Sequence, residues 1–403
     1  MAERQGASTR GIALLLASLS ALGPFSIDSY LPSFHDIAAK LGASQIEVQQ
    51  TLSVYLLSFA VMTLWHGAIS DRFGRRRVIL IALALFGLAS TGCAFATRIE
   101  HLWFWRAMQG ITAGAGIVIS RAIVRDLFDG AAAQRLMSQI TMMFALAPAI
   151  APVIGGWLQT LFGWRSVFAF LALATVALWL ACWKLLPETL PPEKRQSLRP
   201  AYLGATYWKV MTSPAFLFAC GALSLNFAGF FIYVLSAPVF LMQHLGVAET
   251  GFIWLFGPAM SGLLTGSWLS GRLAGRISLS RTIALGYAVM VSAALINLGL
   301  NLALPPALPW SVMPLFVYTT GMALAMPCLT ILALDPFPAQ RGLAASCQTF
   351  FQSGLNSLTA ALIAPALWAS TQSLALGMIS LMAVGGLCAL GHQKLRQPVA
   401  AKG

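Results

Sequence analysis

The chain has 403 residues, of which 58% are hydrophobic and only 9% are charged, and its mean hydropathy is +0.77. This composition excludes an ordinary soluble domain, which could not bury so much apolar surface, and it indicates that lipid is the main solvent. The net charge of +13 raises the alternative of a nucleic-acid-binding protein. The basic residues, however, lie in short tracts between apolar stretches, as they do in the loops of membrane proteins. The composition therefore predicts an all-α integral membrane protein that binds no nucleic acid.

Twelve apolar stretches are long enough to cross a bilayer, for which a helix needs about 20 residues. In the first half they lie near residues 11–33, 46–69, 77–97, 102–125, 136–161 and 165–186. In the second half they lie near residues 214–241, 250–273, 281–303, 310–333, 342–368 and 373–392. We number them spans 1 to 12. The longest polar connection between them predicts three regions: a six-helix half at 1–186, a cytoplasmic linker at 187–211 and a second six-helix half at 212–403.

The arginines and lysines are distributed unevenly between the two sides of these spans. If the N-terminus is cytoplasmic, 21 of the 25 basic residues fall on the cytoplasmic side. Lys40, Arg98 and Arg165 fall on the outer side, and Arg106 falls inside span 4. Because cytoplasmic loops carry an excess of basic residues, we expect both termini to be cytoplasmic.

Two ionisable residues stand out inside the spans, where a charge is costly and is a functional candidate. Asp28 lies about one turn before the outer end of span 1, and Arg106 lies about one turn after the outer start of span 4. We therefore expect them at similar depth, where each charge could neutralise the other. One interpretation is a static ion pair that fixes helix packing. The other is a proton switch, because burial favours the neutral carboxyl group whereas a nearby guanidinium favours the ionised one.

Polar and aromatic side chains within the spans are candidates for a substrate-binding cavity. Gln348, Gln352 and Asn356 recur every four residues and therefore form one stripe along span 11. Such a stripe either bonds neighbouring helices or hydrogen-bonds a substrate. The substrate-binding candidates are Tyr30, Tyr55, Phe59, Gln109, Asn226, Phe230, Gln348, Gln352 and Asn356.

Neither the cysteines nor the histidines suggest a metal or redox site. The six cysteines occur singly in apolar segments without a C-x-x-C pair, and the five histidines show no metal-ligand spacing. We predict packing roles for the cysteines. The sequence therefore predicts no metal and no cofactor.

Three motifs carry a resemblance to a known family. The loop after span 2 reads Gly67-Ala-Ile-Ser-Asp-Arg-Phe-Gly-Arg-Arg-Arg77, which resembles the G-x-x-x-D-R-x-G-R-R signature of the major facilitator superfamily. In span 4, Leu102-x-x-x-Arg106-x-x-Gln109-Gly110 resembles that superfamily's second motif. In span 5, Ala151-Pro152-x-x-Gly155-Gly156 is similar to the antiporter motif G-P-x-x-G-G, with alanine in place of its first glycine.

A second set of motifs resembles one branch of that superfamily. The bicyclomycin-resistance (Bcr/CflA) branch of drug:proton antiporters shows patterns similar to Ser26–Pro32, Arg125-Asp126, Gly163–Arg165 and Pro187–Leu190. In addition, Ser270–Arg276 is a degenerate copy of Ser70–Arg76 in which the acid is lost, as expected of two related halves.

The resemblance implies specific roles for residues of this chain. Asp28 and Arg106 would couple transport to protons, and Asp126 would pair with the basic loop after span 2. The residues with gating roles would be Gly67, Asp71, Arg72, Gly74, Arg75, Arg76, Asp126, Pro152, Gly155 and Gly156. Gly155 and Gly156 would allow span 5 to flex.

The function that the resemblance implies is proton-coupled export of small drug-like molecules across the bacterial inner membrane by alternating access. The expected partners are the drug, protons and the lipid bilayer, and the expected state is a monomer. A proton-coupled uptake symporter for a metabolite is the alternative. An ATP-driven pump or a membrane enzyme is disfavoured because the sequence has no G-x-x-x-x-G-K-[ST] loop and no visible nucleophile–base cluster.

Overall fold

The computed structural model describes residues 2–128, 130–195 and 200–396. Over these ranges the chain is helical and contains no strand, which confirms the predicted all-α fold. Linker residues 196–199 and the C-terminal residues 397–403 of the predicted second half lie outside the described ranges.

The helices group into two compact units. Unit 1 comprises Met1–Arg199 together with the short segment Glu249–Phe252, and unit 2 comprises Pro200–Ala248 and Ile253–Gly403. The change from one unit to the other after Arg199 falls inside the predicted linker, 187–211.

Unit 1 holds six long helices and one short one in its described part. Their bounds are α1 Ala2–Asp28, α2 Phe34–Leu41, α3 Gln45–Phe73, α4 Arg75–Ala94, α5 Ile99–Leu127, α6 Gly130–Phe162 and α7 Arg165–Leu185. A single 3₁₀ turn, Leu31–Ser33, joins α1 to α2. Predicted spans 1 to 6 correspond to α1 and α3 to α7.

Unit 2 likewise holds six long helices in the part that is described. Its helices are α8 Pro200–Met211, α9 Pro214–Leu235, α10 Ile253–Leu273, α11 Leu279–Ala303, α12 Met313–Leu334, α13 Arg341–Leu358, α14 Ala364–Ala366 and α15 Thr371–Arg396. Spans 7 to 12 correspond to α9 to α13 and α15. Ten segments of the described chain are long and apolar enough to cross a membrane by length and composition, and α6 adds a shorter apolar helix, Leu146–Phe162.

Spans 7 and 11 differ from the uninterrupted α-helices that their sequences suggest. Pro238–His244 follows α9 as a π-helical segment, and Thr359–Ile363 follows α13 as another. Pro238 has no backbone N–H to donate, which disrupts regular α-helical bonding at that point. Such π-helical segments are rare and are frequent at functional sites.

Glycines determine how closely α5 approaches its neighbours. A Cβ atom on Gly110 would lie 2.2 Å from the carbonyl oxygen of Tyr55 in α3, and one on Gly116 would lie 2.3 Å from the carbonyl oxygen of Leu19 in α1. Only glycine permits backbones to approach this closely. The α5 helix is therefore held against both α3 and α1, and this packing brings Arg106 to the end of α1.

Candidate functional site

Arg106 is completely buried and is held by two tyrosines. Its guanidinium carbon lies 4.4 Å from the ring centroid of Tyr30 and 4.4 Å from that of Tyr55. A cation is attracted to the face of an aromatic ring, and the attraction increases when water is excluded. The two rings therefore stabilise a guanidinium that has lost its hydration.

Backbone and amide oxygens supply the polar contacts of the same guanidinium. Arg106 Nη1 donates to the carbonyl oxygen of Ser26 at 3.2 Å and to Oε1 of Gln109 at 2.8 Å. Ser26 lies in the last turn of α1, where carbonyl groups have no partner within the helix and carry the negative end of the helix dipole. The end of α1 therefore contributes to neutralising Arg106.

Asp28 is the last residue of α1 and is also buried, at 4% exposed. It lies between Ser26 and Tyr30, which both contact Arg106. The carboxyl group is thus close in sequence to residues that hold Arg106, and because it is buried an ionised carboxylate is costly there.

The sequence leaves two interpretations of Asp28 and Arg106, a static ion pair or a proton switch. No ion pair joins them among the ion pairs of the described residues. The polar contacts of Arg106 go instead to the carbonyl oxygen of Ser26 and to Gln109. The proton-switch interpretation stays a prediction.

Two nitrogens of Arg106 remain available. Within the described part of the chain, Nε and Nη2 have no hydrogen-bond partner although they are fully buried. A buried donor without a partner costs about 1 to 3 kcal/mol, and more for a charged group. The site therefore has unused capacity to bind a carboxylate or another anionic group.

A second charged site lies at the other end of unit 1, where the loop after α3 begins α4. Arg75 forms ion pairs with Asp71 at 2.5 Å and with Asp126 at 3.2 Å. Its Nη1 also donates to Ser70 Oγ at 2.6 Å. The contact between this loop and Asp126 is the one that the sequence suggests, and its gating role stays a prediction. We call this site the Arg75 network.

The segment after α7 joins the Arg75 network. Glu188 Oε1 accepts the backbone N–H of Arg75 at 2.9 Å, and Thr189 Oγ1 donates to Asp126 Oδ2 at 2.9 Å. Gly74 precedes Arg75 with φ of +94°, and a Cβ there would lie 2.4 Å from Glu188 Oε2. Glycine is therefore required at position 74 by both its backbone conformation and the carboxylate beside it.

The remaining loop residues with predicted gating roles lie around this network without joining it. Arg76 donates to the carbonyl oxygen of Trp183 at 2.6 Å, and the guanidinium carbon of Arg72 lies 5.4 Å from the ring centroid of Phe73. A Cβ on Gly67 would make only an ordinary contact, 3.9 Å from Val118.

The proline–glycine segment of α6 contacts the end of α1. A Cβ on Gly155 would lie 1.6 Å from the carbonyl oxygen of Ser29, and one on Gly156 would lie 2.4 Å from that of Glu249. Pro152 lies in the interior of α6. Close backbone approach is thus a structural reason for both glycines, and the flexing of α6 stays a prediction.

Four of the predicted substrate-binding residues lie in unit 1, and three of them are committed to the arginine site. Tyr30 and Tyr55 are fully buried against Arg106, and their hydroxyl groups bond Thr51 and Ser26. Gln109 joins Arg106 to Ser90 Oγ through its Nε2, at 2.8 Å. Phe59 is half-buried and stacks on Tyr55.

The other five predicted substrate-binding residues lie in unit 2, where the structure divides them. Asn226 and Phe230 are buried in α9, and Asn226 Nδ2 donates to the hydroxyl of Tyr287 at 2.8 Å. Asn356 is buried, whereas Gln348 and Gln352 are half-buried. Gln348 Nε2 donates weakly to Thr330 at 3.4 Å. The amide stripe of α13 is therefore buried at one end and partly accessible along the rest.

Sequence reasoning did not assign roles to four residues that the structure places at these sites. At the arginine site, the carbonyl oxygen of Ser26 accepts from Arg106, and the hydroxyl of Ser90 accepts from Gln109. At the Arg75 network, Glu188 accepts from the backbone N–H of Arg75, and Thr189 donates to Asp126. A carboxylate near the first residue of a helix is a recognisable capping signal. Glu188, however, is 113 residues from Arg75, so the sequence alone does not bring them together.

Comparison with known proteins identifies the family. The model of the Major Facilitator Superfamily matches residues 14–361 of the chain. This match covers most of both units. The chain belongs to the major facilitator superfamily.

The curated relatives of this superfamily member include drug-resistance proteins. It is 32% identical to the MFS-type transporter YdgK of Bacillus subtilis, over 89% of each chain. It is 30% identical to the Bicyclomycin resistance protein homolog of Haemophilus influenzae, over 73% of this chain and 76% of that one. It is 28% identical to Multidrug resistance protein D of Escherichia coli, over 82% of each. These relatives confirm the resemblance to the bicyclomycin-resistance branch.

Solved structures support the fold of the superfamily member. A D-xylose–proton symporter matches it with a TM-score of 0.72 at 16% identity, covering 95% of this chain and 97% of the other. A bacterial homologue of the lysosomal transporter Spinster also matches with a TM-score of 0.72 at 16% identity, covering 98% and 99%. The protein is a multi-pass membrane transporter and not an enzyme.

Proposed function

We propose that this transporter exports small drug-like molecules from bacteria in exchange for protons. The observations that carry the proposal are Asp28, a buried carboxyl group at the end of α1 that has no ion pair in the described structure, and Arg106, a buried guanidinium that bonds Ser26 of the same helix and has two unused N–H donors. The drug-resistance names of the relatives support drugs as the substrate class.

The proposed cycle uses two arrangements of Asp28 and Arg106. With a proton bound, Asp28 is neutral and forms no ion pair with Arg106. When the proton leaves, the carboxylate turns toward Nε and Nη2 of Arg106 and is neutralised there. Because each arrangement satisfies one protonation state, exposure of the site to one side of the membrane at a time would couple conformation to proton transfer.

The Arg75 network serves in this proposal as the gate on the basic side of unit 1. It joins the α3–α4 loop, the end of α5 and the segment after α7, so its bonds must rearrange if these elements separate. We further propose an inner-membrane location, cytoplasmic termini and a monomeric state, on the basis of the arginine and lysine distribution and the family.

The proposal is tested by compound-induced proton movement in everted membrane vesicles. The parent and Asp28→Asn are compared across a compound panel that includes chloramphenicol, with a pH-sensitive dye as readout. We expect the parent to release protons from the vesicle lumen with at least one compound. Asp28→Asn should lose this signal, because an amide cannot carry the proton.

Asp36→Asn is the matched control, because Asp36 is a carboxylate eight residues further along that pairs with Lys40 at 3.0 Å. This variant should keep the signal. An unchanged signal in Asp28→Asn would contradict the coupling role of Asp28. Compound movement in the same direction as the protons would instead identify a symporter.

A further inference from the structure

The α8 helix, Pro200–Met211, differs from the other helices of unit 2 because it is short and follows directly on the linker. Its residues Leu203, Thr206 and Val210 are buried and form one face, which packs on α13. Gln340 also donates to the hydroxyl of Tyr202 at 3.4 Å. One side of α8 is therefore fixed to the transporter.

The opposite side of α8 exposes a large aromatic residue, Trp208, which is 72% exposed. Tyr202 lies on the flank of the buried face and is 54% exposed. Ala201, Gly204 and Trp208 recur at helical spacing and form an apolar stripe opposite the buried face. Tryptophan and tyrosine are enriched at membrane–water interfaces, where the ring lies among headgroups and its polar atom reaches water.

The charge around α8 has one sign. From Lys194 to Ser213 the sequence contains four basic residues and no acidic residue. Lys209 lies on α8 itself, is exposed and directly follows Trp208. A helix with an exposed apolar stripe that includes a tryptophan, and with a lysine beside that tryptophan, is suited to the surface of an anionic bilayer.

The position of α8 in the chain brings it to that surface. Met211 is followed by Thr212 and Ser213, and the membrane-spanning helix α9 begins at Pro214. Three residue steps span at most about 11 Å. The headgroup region on each side of the hydrocarbon core is about 5 to 7 Å thick. The C-terminal end of α8 therefore lies at or next to the lipid headgroups.

We propose that α8 is an interfacial anchor that binds the anionic phospholipid headgroups of the leaflet on the basic side of the protein. Trp208 lies at the level of the headgroups together with Ala205, which is exposed one helical turn before it. Lys209 contacts the phosphates of the headgroups. The occupant is the lipid surface rather than a protein, because the charge, the aromatic residues and the adjoining span all match a bilayer. This inference does not depend on the transported substrate.

The test measures the depth of α8 in the membrane with the full-length transporter in lipid nanodiscs. Trp208→Cys and Ala205→Cys are made separately in a background without the native cysteines, and each carries a nitroxide. Accessibility to oxygen, which concentrates in lipid, is compared with accessibility to an aqueous nickel chelate. The discs contain either phosphatidylcholine alone or phosphatidylcholine with one quarter phosphatidylglycerol. Ala205→Cys replaces one small residue by another, so it reports the depth of α8 even if loss of Trp208 disturbs the helix.

We expect both positions to be shielded from nickel in the discs with phosphatidylglycerol and less so in phosphatidylcholine alone. The preference of α8 for anionic lipid is read as the ratio of its nickel accessibility in the two kinds of disc. Lys209→Gln should reduce this preference by about fivefold, which is the effect of one basic residue near an anionic leaflet. Arg276→Gln, which removes a basic residue in the exposed turn after α10, should leave it unchanged. Ala274→Cys, in that same turn, provides the reference for a water-exposed loop.

Two results would overturn the proposal. If residues 205 and 208 are as accessible to nickel as residue 274 in both lipid compositions, α8 does not lie on the membrane. If their depth is the same with and without phosphatidylglycerol, α8 has no preference for anionic lipid.

Discussion

The two units share a six-helix plan but differ in the polar groups that they bury. Unit 1 buries a carboxyl group, Asp28, and two guanidinium groups, Arg106 and Arg75. In the described part of unit 2 no aspartate, glutamate, lysine or arginine is buried, and the polar interior is formed by amides, hydroxyls and one histidine, His392. Asn297 Nδ2, for example, donates to the hydroxyl of Tyr233 at 2.7 Å.

The loops that correspond in the two halves show the same difference. In unit 1, Arg75 bonds Asp71 and Asp126. In unit 2 the position of Asp71 is taken by Gly271, and the guanidinium carbon of Arg272 lies 4.1 Å from the ring centroid of Trp268. An exchange of protons needs a titratable group in the membrane, and the buried carboxyl group lies in unit 1, which supports the proposed coupling there. The amides and hydroxyls of unit 2 suit uncharged polar substrates or helix packing.

The largest expected effect comes from Arg106→Lys in unit 1. Lysine keeps the charge but loses the planar group that fits between Tyr30 and Tyr55 and the fork that bonds Ser26 and Gln109. Losing a desolvated cation–π contact and a charge-assisted hydrogen bond costs about 3 kcal/mol, or about 100-fold in coupled proton flux. The vesicle assay measures this change.

Asn226→Asp in unit 2 tests whether the coupling carboxyl group must lie in unit 1. It adds a carboxyl group at a buried position of α9, and it should not restore coupled flux when combined with Asp28→Asn. Restored flux in that double variant would show that the coupling carboxyl group need not lie in unit 1.

A smaller effect is expected from Gly155→Ala in unit 1. The new methyl group would collide with the carbonyl oxygen of Ser29, and overpacking of this kind costs about 1 to 3 kcal/mol. Thermal unfolding of the purified protein in detergent should therefore begin at a lower temperature than in the parent.

Gly299→Ala in α11 of unit 2 is the matched control, because nothing lies within 4 Å of its added Cβ. Alanine is also the better helix former there. This variant should unfold at the parent's temperature or above it. Equal melting of the two variants would mean that α6 does not need the close approach to α1.

The smallest effect concerns the neutral network of unit 2. Tyr233→Phe and Asn297→Leu each remove one partner of a buried hydrogen bond, and the double variant removes both. In membrane proteins such pairs contribute about 0.6 kcal/mol on average in double-mutant cycles. We expect the double variant to be less destabilised than the sum of the single variants by about this amount.

Proton flux should persist in all three of these unit 2 variants, because no titratable carboxyl group is touched. Detergent unfolding measures the stability differences, and the vesicle assay measures the flux. Loss of proton coupling in Tyr233→Phe alone would contradict the proposal that proton coupling belongs to unit 1.

The helical architecture and the main candidate residues are predictable from the sequence because they depend on local signals. Apolar length predicts spans, and the charge of Asp28 and Arg106 within spans marks them as candidates. The contacts that each of them makes are not predictable, because sequence spacing gives depth but not the direction of a side chain. The tyrosine rings and the carbonyl oxygen of Ser26 compete for the guanidinium, and that competition depends on how α1, α3 and α5 pack.

The contacts of Glu188 and Thr189 are another case where sequence reasoning is insufficient. Both residues lie after the last helix of unit 1 and bond groups that are more than 60 positions away. Conversely, the short polar segment around α8 looks like plain linker in the sequence. Its exposed Trp208 and its buried face become visible only when the helix is placed against α13.

The bonds of Arg75 have a mechanical consequence for the transporter. A single residue joins three parts of the chain: its side chain bonds Asp71 and Asp126, and its backbone N–H bonds Glu188. Thr189 closes the loop through Asp126. Because these bonds share atoms, displacement of any one part strains the other two. The end of unit 1 is therefore expected to release in one cooperative step, rather than by successive loosening of separate contacts.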